Sequence, residues 1–153
     1  MTGLNTNAIV DQLVSHAARL GVFDKVNLHE PKSRPPAGLT AAVWFDRLQP
    51  HLGDSGLAST SVVSIFMLRI MHSAFAEPQD MIDPRMIDAV DVLFASYHSE
   101  FELDGAARNI DLLGEAGTPL SAQAGFLNID GTIYRVMDVF IPVIISDVWS
   151  QNG

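Results

Sequence analysis

Two residues, Asp130-Gly131, constrain this chain more than any others. They stand between Phe126–Ile129 and Thr132–Met137, and a two-residue connection of that kind closes a type I′ β-hairpin, because both central positions need positive φ. The runs on either side are rich in β-branched and aromatic residues, which suit a pleated, half-buried surface. The second arm runs on to Val148, seventeen residues or ~55 Å if unbroken at about 3.3 Å per residue. That exceeds an ordinary strand. Pro142 interrupts it and cannot donate to a ladder, so it marks a bulge, an edge or a bend. Any fold for this chain must supply a sheet large enough to receive that hairpin.

The rest of the chain supplies the pieces. Ile9, Val10, Leu13, Ala17 and Leu20 fall at helical spacing, after the capping-type run Asn5-Thr6-Asn7 and before Gly21, which predicts a helix over about 6–20. Lys25 to Glu30 reads as a short strand ended by Pro31, and Lys32 to Gly38, with Pro35 and Pro36, as an exposed loop. Thr40 to Leu48 reads as a strand covered on both faces, and Pro50 to Ser59 as a turn region. Ser61 to Met71 is a second apolar strand. Its row Val62, Phe66, Leu68, Ile70 is expected to face the helices, and the row Val63, Ile65, Met67, Arg69 is mixed. A second helix starts at Asp83-Pro84, an N-cap followed by proline. Met86, Ile87, Val90, Leu93, Phe94, Tyr97 and Phe101 form its apolar stripe, and Asp88, Asp91 and Glu102 its acidic back. Glu102 to Ala124 is irregular, with a short ordered piece at Arg108 to Leu113. The expected architecture is α+β: a mainly antiparallel sheet of four or five strands with two main helices packed on it and a long C-terminal β-hairpin.

Composition narrows the function classes. The 153 residues make a single domain spanning 1–153, with no internal repeat, low-complexity tract or linker. Cysteine is absent, which removes disulfides, thiolate metal sites and cysteine nucleophiles together. The longest apolar run is Val139 to Ile145, far short of the ~20 residues of a spanning helix, so a soluble protein without a membrane partner is expected. Net charge is −9, from 9 Lys plus Arg against 18 Asp plus Glu. The arginines are scattered and the only lysines are Lys25 and Lys32, which argues against tight nucleic-acid binding. Mean hydropathy is +0.21 with only 18% charged residues, a composition that fits either a well-filled core or apolar surface reserved for partner subunits.

Catalytic constellations are hard to assemble from these residues. Gly53-Asp54-Ser55-Gly56 echoes a serine-nucleophile segment, but Leu57 replaces the next glycine, and although His51 is near in sequence, the two-barrel fold that assembles such a triad needs a much longer chain. A polar turn is the simpler reading. His29-Glu30 begins a zinc-helix motif that Pro31 breaks, and Ser33 stands where the second His belongs. His98 with Glu100 or Asp104 is the remaining way to gather metal ligands. No phosphate-binding glycine loop is present, and the acidic helix back reads as solvated. The expectation is no enzyme, no catalytic residues, no cofactor and no metal.

The order of motifs carries a resemblance. Phe23–Pro31 followed by Gly38–Trp44, then Ser73, Glu77–Asp80 and Ile82–Pro84, then Arg108–Gly114, Gly117–Gly125, Asp130-Gly131 and Tyr134–Met137, together resemble the tail terminator proteins of long-tailed, siphovirus-like actinobacterial phages. The likeness spans nearly the whole chain in the same order. It implies a small α+β subunit of a virion, assembled in the host cytoplasm, that forms a homohexameric ring at the head-proximal end of the tail. That ring caps the tail tube, stops its polymerisation and joins the head connector, with DNA passing through its centre without specific binding. Its partners are then itself, the tail tube protein and the head–tail connector, with no cofactor. On that reading three elements are candidate interfaces: the loop Lys32 to Gly38 with Lys32 and Arg34, the small-residue segment Asp111 to Gly125, and the arm Thr132 to Trp149. The arm carries Phe140 and Trp149 and is expected to add its edge to a neighbour's sheet, and Arg135 is a candidate for an inter-subunit ion pair. Other readings are another neck component, such as a head–tail connector or tail-completion protein, a small serine hydrolase using Ser55, and a ligand-binding regulatory module.

Overall fold

The computed structural model describes residues 6–27, 38–50, 59–75, 79–99, 109–114 and 117–150, with the backbone alone at 50, 59, 60, 79, 109 and 146–150. Helix α1 spans Thr6–Arg19 and buries Ile9, Leu13, His16 and Ala17, one stripe at helical spacing. It stops at Gly21, whose φ of 73° suits the residue that ends a helix. The N–H groups of Leu20 and Gly21 donate to the carbonyls of Ala17 and Ala18 at 3.3 and 3.4 Å and close the last turn. Among the described residues there are six strands where four or five were expected: β1 Lys25–Asn27, β2 Thr40–Pro50, β3 Ser59–Ser73, β4 Asn109–Ile110, β5 Ser121–Ile129 and β6 Thr132–Ser150. Helix α2, Ile82–Ser99, lies between β3 and β4 and is entered through a 3₁₀ turn at Gln79–Met81.

One sheet holds all six strands in the order β1-β2-β3-β6, with β5 and β4 sharing the far edge of β6. Only β1 on β2 is parallel; every other pairing is antiparallel. The fold is thus α+β with a mainly antiparallel sheet. At its centre are β3 and β6, 15 and 19 residues long, paired from Ser59 opposite Ser150 to Ser73 opposite Tyr134. Both helices lie on one side. There Ile9, Leu13, Met86, Leu93 and Tyr97 pack on Ala41, Val43, Phe66, Leu68, Ile70, Val139 and Ile141. The opposite side carries two smaller apolar clusters, Ala42, Met71, Ile129, Tyr134 and Val136 near the hairpin, and Val63, Ile65 and Ile144 further along.

The hairpin forms as its turn residues require. Asp130 and Gly131 have φ of 54° and 84°, and Ile129 pairs with Thr132. Asn128 Oδ1 accepts the Gly131 N–H at 3.0 Å. Pro142 occupies the middle of a central strand without a register shift against β3. Hydrogen-bonded pairs alternate from the turn, so even-numbered residues of β6 turn their backbone groups away from β3. The missing N–H of Pro142 therefore falls between Phe140, where β5 ends its pairing, and Val143, where β4 begins. Its carbonyl still accepts the Asp111 N–H at 2.9 Å.

Several sequence expectations need correction. From Thr132 to Ile144 the arm is not an edge available to a neighbour, since β3 takes one of its sides and β5 with β4 the other; at 145–150 it pairs with β3 alone among the described residues. Ser121 to Ala124 is strand rather than irregular chain, because pairing with β6 supplies the extended conformation that small residues do not favour alone. Thr40 to Leu48 is covered on both faces only at Thr40–Val43; Phe45 and Leu48 are exposed. The mixed row of β3 is buried at Val63, Ile65 and Met67, with Arg69 partly buried beside them. Ile87 points to solvent, and α2 takes Ala89 into its stripe instead. Asp83 lies inside the first turn of α2 and not at the cap. Among the described residues no helix is long and apolar enough to cross a membrane.

Candidate assembly surfaces

Counting back from the Asp130-Gly131 turn places Phe126 of β5 opposite Arg135 of β6, both on the helix side of the sheet. Arg135 reaches the N-terminal turn of α2, where its Nε and Nη2 donate to the Asp83 carboxylate at 2.9 and 3.4 Å. Nη1 donates to the Gly125 carbonyl at 3.2 Å, and the guanidinium lies over the Phe126 ring, 4.5 Å from its centroid. The carboxylate also sits where a helix N-terminus favours negative charge. Arg135, a candidate for an inter-subunit ion pair, pairs with Asp83 of its own subunit. Ala74, Ile82, Asp83, Phe126 and Arg135 line a shallow cleft of about 200 Å³ there. A second, open cleft of about 360 Å³ lies between α2 and the start of β2, lined by Val22, Asp24, Leu39, Arg85, Asp88, Ala89 and Val92.

The other side of the sheet carries its own ion pair. Arg69 of β3 and Asp138 of β6 are cross-strand partners joined by two hydrogen bonds, 2.7 and 3.1 Å, and the guanidinium lies 5.2 Å from the Trp44 ring centroid. A fork of two bonds suits the planar guanidinium and lets a charged pair sit in a largely apolar face. Phe140 is on that same side, half-buried against Val63, Ile65 and Ile144.

The two outer edges of the sheet are unlike its centre. β5 pairs with β6 on one side and with no strand on the other among the described residues; β2 beyond Ala42 is in the same position. Both edges show apolar side chains on the helix side: Phe126 at 67% exposure on β5, Phe45 at 41% and Leu48 at 38% on β2. Sequence reasoning passed over these edges, although the register of a two-residue hairpin already puts Phe126 opposite Arg135.

Of the other candidate residues, Lys32, Arg34 and Ser55 lie outside the described residues, as do His51, Glu100 and Asp104. The backbone of Trp149 pairs with Thr60. Among the described residues no three His, Asp or Glu side chains gather as metal ligands would.

No protein-family model matches the chain, and no curated protein does. Among solved structures it is similar to a chain from the virion of a native gene transfer agent particle, at 13% identity and a TM-score of 0.42, covering 88% of this chain and 90% of that one.

Proposed function

We propose that this chain is a structural, non-enzymatic subunit of a tailed virion, and within that class a tail terminator. Copies close into a homohexameric ring on the head-proximal end of the tail tube, stop its growth and present the joint to the head connector. The observation that carries the reading is the ordered series of motifs from Phe23 to Met137 that resembles tail terminators of long-tailed phages. Apolar side chains at both edges of the sheet support a role in assembly.

The mechanism is geometric. A tube end keeps growing because its exposed face matches the next ring. A terminator matches that face on one side and differs on the other, so addition stops. DNA passes through a ring whose subunits carry a net charge of −9 each and so repel its phosphates. Tail tube protein, head connector and further copies of this chain are the partners; no cofactor is needed.

Deleting the gene from its phage tests the reading. The expected outcome in electron micrographs is tails of uncontrolled length that fail to join filled heads. Tails of normal length without heads would assign the chain to the connector instead, and particles indistinguishable from wild type would overturn a structural role.

A further inference from the structure

We propose that the outer edge of β5 pairs with the outer edge of β2 in a second copy of this chain, joining the sheets of neighbouring subunits head to tail. The inference rests on the proposed assembly role only in taking a second copy as the occupant.

The backbone argues first. The type I′ turn makes Ile129–Thr132 a hydrogen-bonded pair, and such pairs recur at Leu127, Gly125, Gln123 and Ser121. Ala122, Ala124, Phe126 and Asn128 therefore turn their N–H and C=O groups outward, where no strand receives them among the described residues. Folded proteins guard such edges with charge, proline or a bulge. The nine residues of β5 contain no charged residue and no proline, and its pairing with β6 runs without a register shift. It is an edge built to be paired.

The opposite edge fits it. β2, β3, β6 and β5 alternate in direction, so β2 and β5 run antiparallel. A copy rotated about an axis along the strands brings its β2 beside β5 in antiparallel sense, with the helices of both copies on one side of the joint sheet. Among the described residues β1 pairs with β2 at Thr40–Ala42, which leaves the Val43–Leu48 edge for a partner. β2 carries guards that β5 lacks, the charges Asp46 and Arg47, the bulge after Phe45 and Pro50 at its end; Asp46 and Arg47 pair with each other at 2.7 Å, which offsets their charge, and the strand is regular on either side of the bulge. Side chains complete the match: Phe126 on one edge and Phe45 with Leu48 on the other are exposed on the same side of the sheet. Pairing β5 with β5 of another copy would leave Phe45 and Leu48 uncovered. Head-to-tail pairing covers both edges at once.

Sedimentation of the purified full-length protein tests this with two variants. Ala124→Pro removes an outward N–H, which an edge strand tolerates; Leu48→Lys puts a charge on the other edge. Wild type is expected to form a closed assembly. Each variant alone is expected to fall to single-chain mass, with its circular dichroism unchanged. Mixed in equal amounts they are expected to form a heterodimer, through the intact β2 edge of A124P and the intact β5 edge of L48K. If A124P does not fold, Ala124→Lys closes the same edge without altering the backbone and carries the same expectations. An A124P or A124K protein that assembles like wild type overturns the proposal. So does an L48K dimer that A124P cannot form, which marks β5–β5 pairing, and so does a wild type that stays monomeric at every attainable concentration. These results do not depend on tail length, so a failed terminator reading and a failed edge pairing are distinguishable.

Discussion

The two ends of Tyr97 ask for different things. Its ring is fully buried and stacks on His16, centroids 4.8 Å apart and 17° from parallel, tying α2 to α1. His16 Nε2 lies 2.5 Å from Ser96 Oγ, a second tie between the same helices. The Tyr97 hydroxyl has no hydrogen-bond partner among the described residues. Burial pushes its acidity well below that of an ordinary phenol, because the anion would be stranded in apolar surroundings. The folded chain thus keeps its proton where the unfolded chain loses it. Above about pH 10 the unfolded state binds fewer protons, so stability falls as pH rises, by up to about 1.4 kcal/mol per pH unit. Tyr97→Phe is expected to remove that slope from the alkaline branch of denaturant melts. At neutral pH it is expected to cost less than about 1 kcal/mol, since the hydroxyl makes no bond among the described residues. A loss of several kcal/mol at neutral pH would show that the hydroxyl is bonded.

At the scale of elements, β6 decides the architecture. It pairs with three strands, β3 on one side and β5 and β4 on the other, and it carries the turn, the core row Val139, Ile141, Val143 and the counter-ion for Arg69. Pro142 can sit in it only because its lost donor faces the gap between β5 and β4. One residue earlier the backbone faces β3. Pro142→Ala is therefore expected to change stability by less than about 1 kcal/mol, whereas Ile141→Pro removes a ladder bond at the centre of the sheet and is expected to cost about 3 kcal/mol or more. Urea melts compare the two directly; equal costs would mean that the register derived from the turn is wrong. Pro142 announced an anomaly in the chain but not its kind. Whether a proline stands at a bulge, an edge or a gap depends on where other strands stop, and those strands come from Ser121 and Asn109, far away in sequence.

For the whole molecule, the contrast is between a deep centre and unguarded edges. β3 and β6 pair from Ser59 and Ser150 to Ser73 and Tyr134, while β5 is held on one side only among the described residues. In the Leu48→Lys single chain, amide exchange along β5 is expected to alternate, slow at Gly125 and Leu127 and fast at Phe126 and Asn128. In the wild-type assembly the fast set is expected to slow by roughly tenfold or more. Uniform exchange along β5 in the single chain would contradict the hairpin register, and an unchanged pattern on assembly would place the interface elsewhere.

The chain by itself determined a good deal. Apolar residues at helical spacing set α1 and α2, alternating β-branched runs set β2 and β3, and Asp130-Gly131 set the hairpin and its register, because each of these rests on interactions between near neighbours. Tertiary structure alone decided the rest. Ser121–Ala124 became strand because β6 was there to pair with it, and Arg135 found Asp83 because the start of α2 lies over the hairpin. The long arm became the centre of the sheet, its edges taken by β3, β5 and β4. Which edge stays open is a property of the whole sheet, since it depends on which strands have already been used.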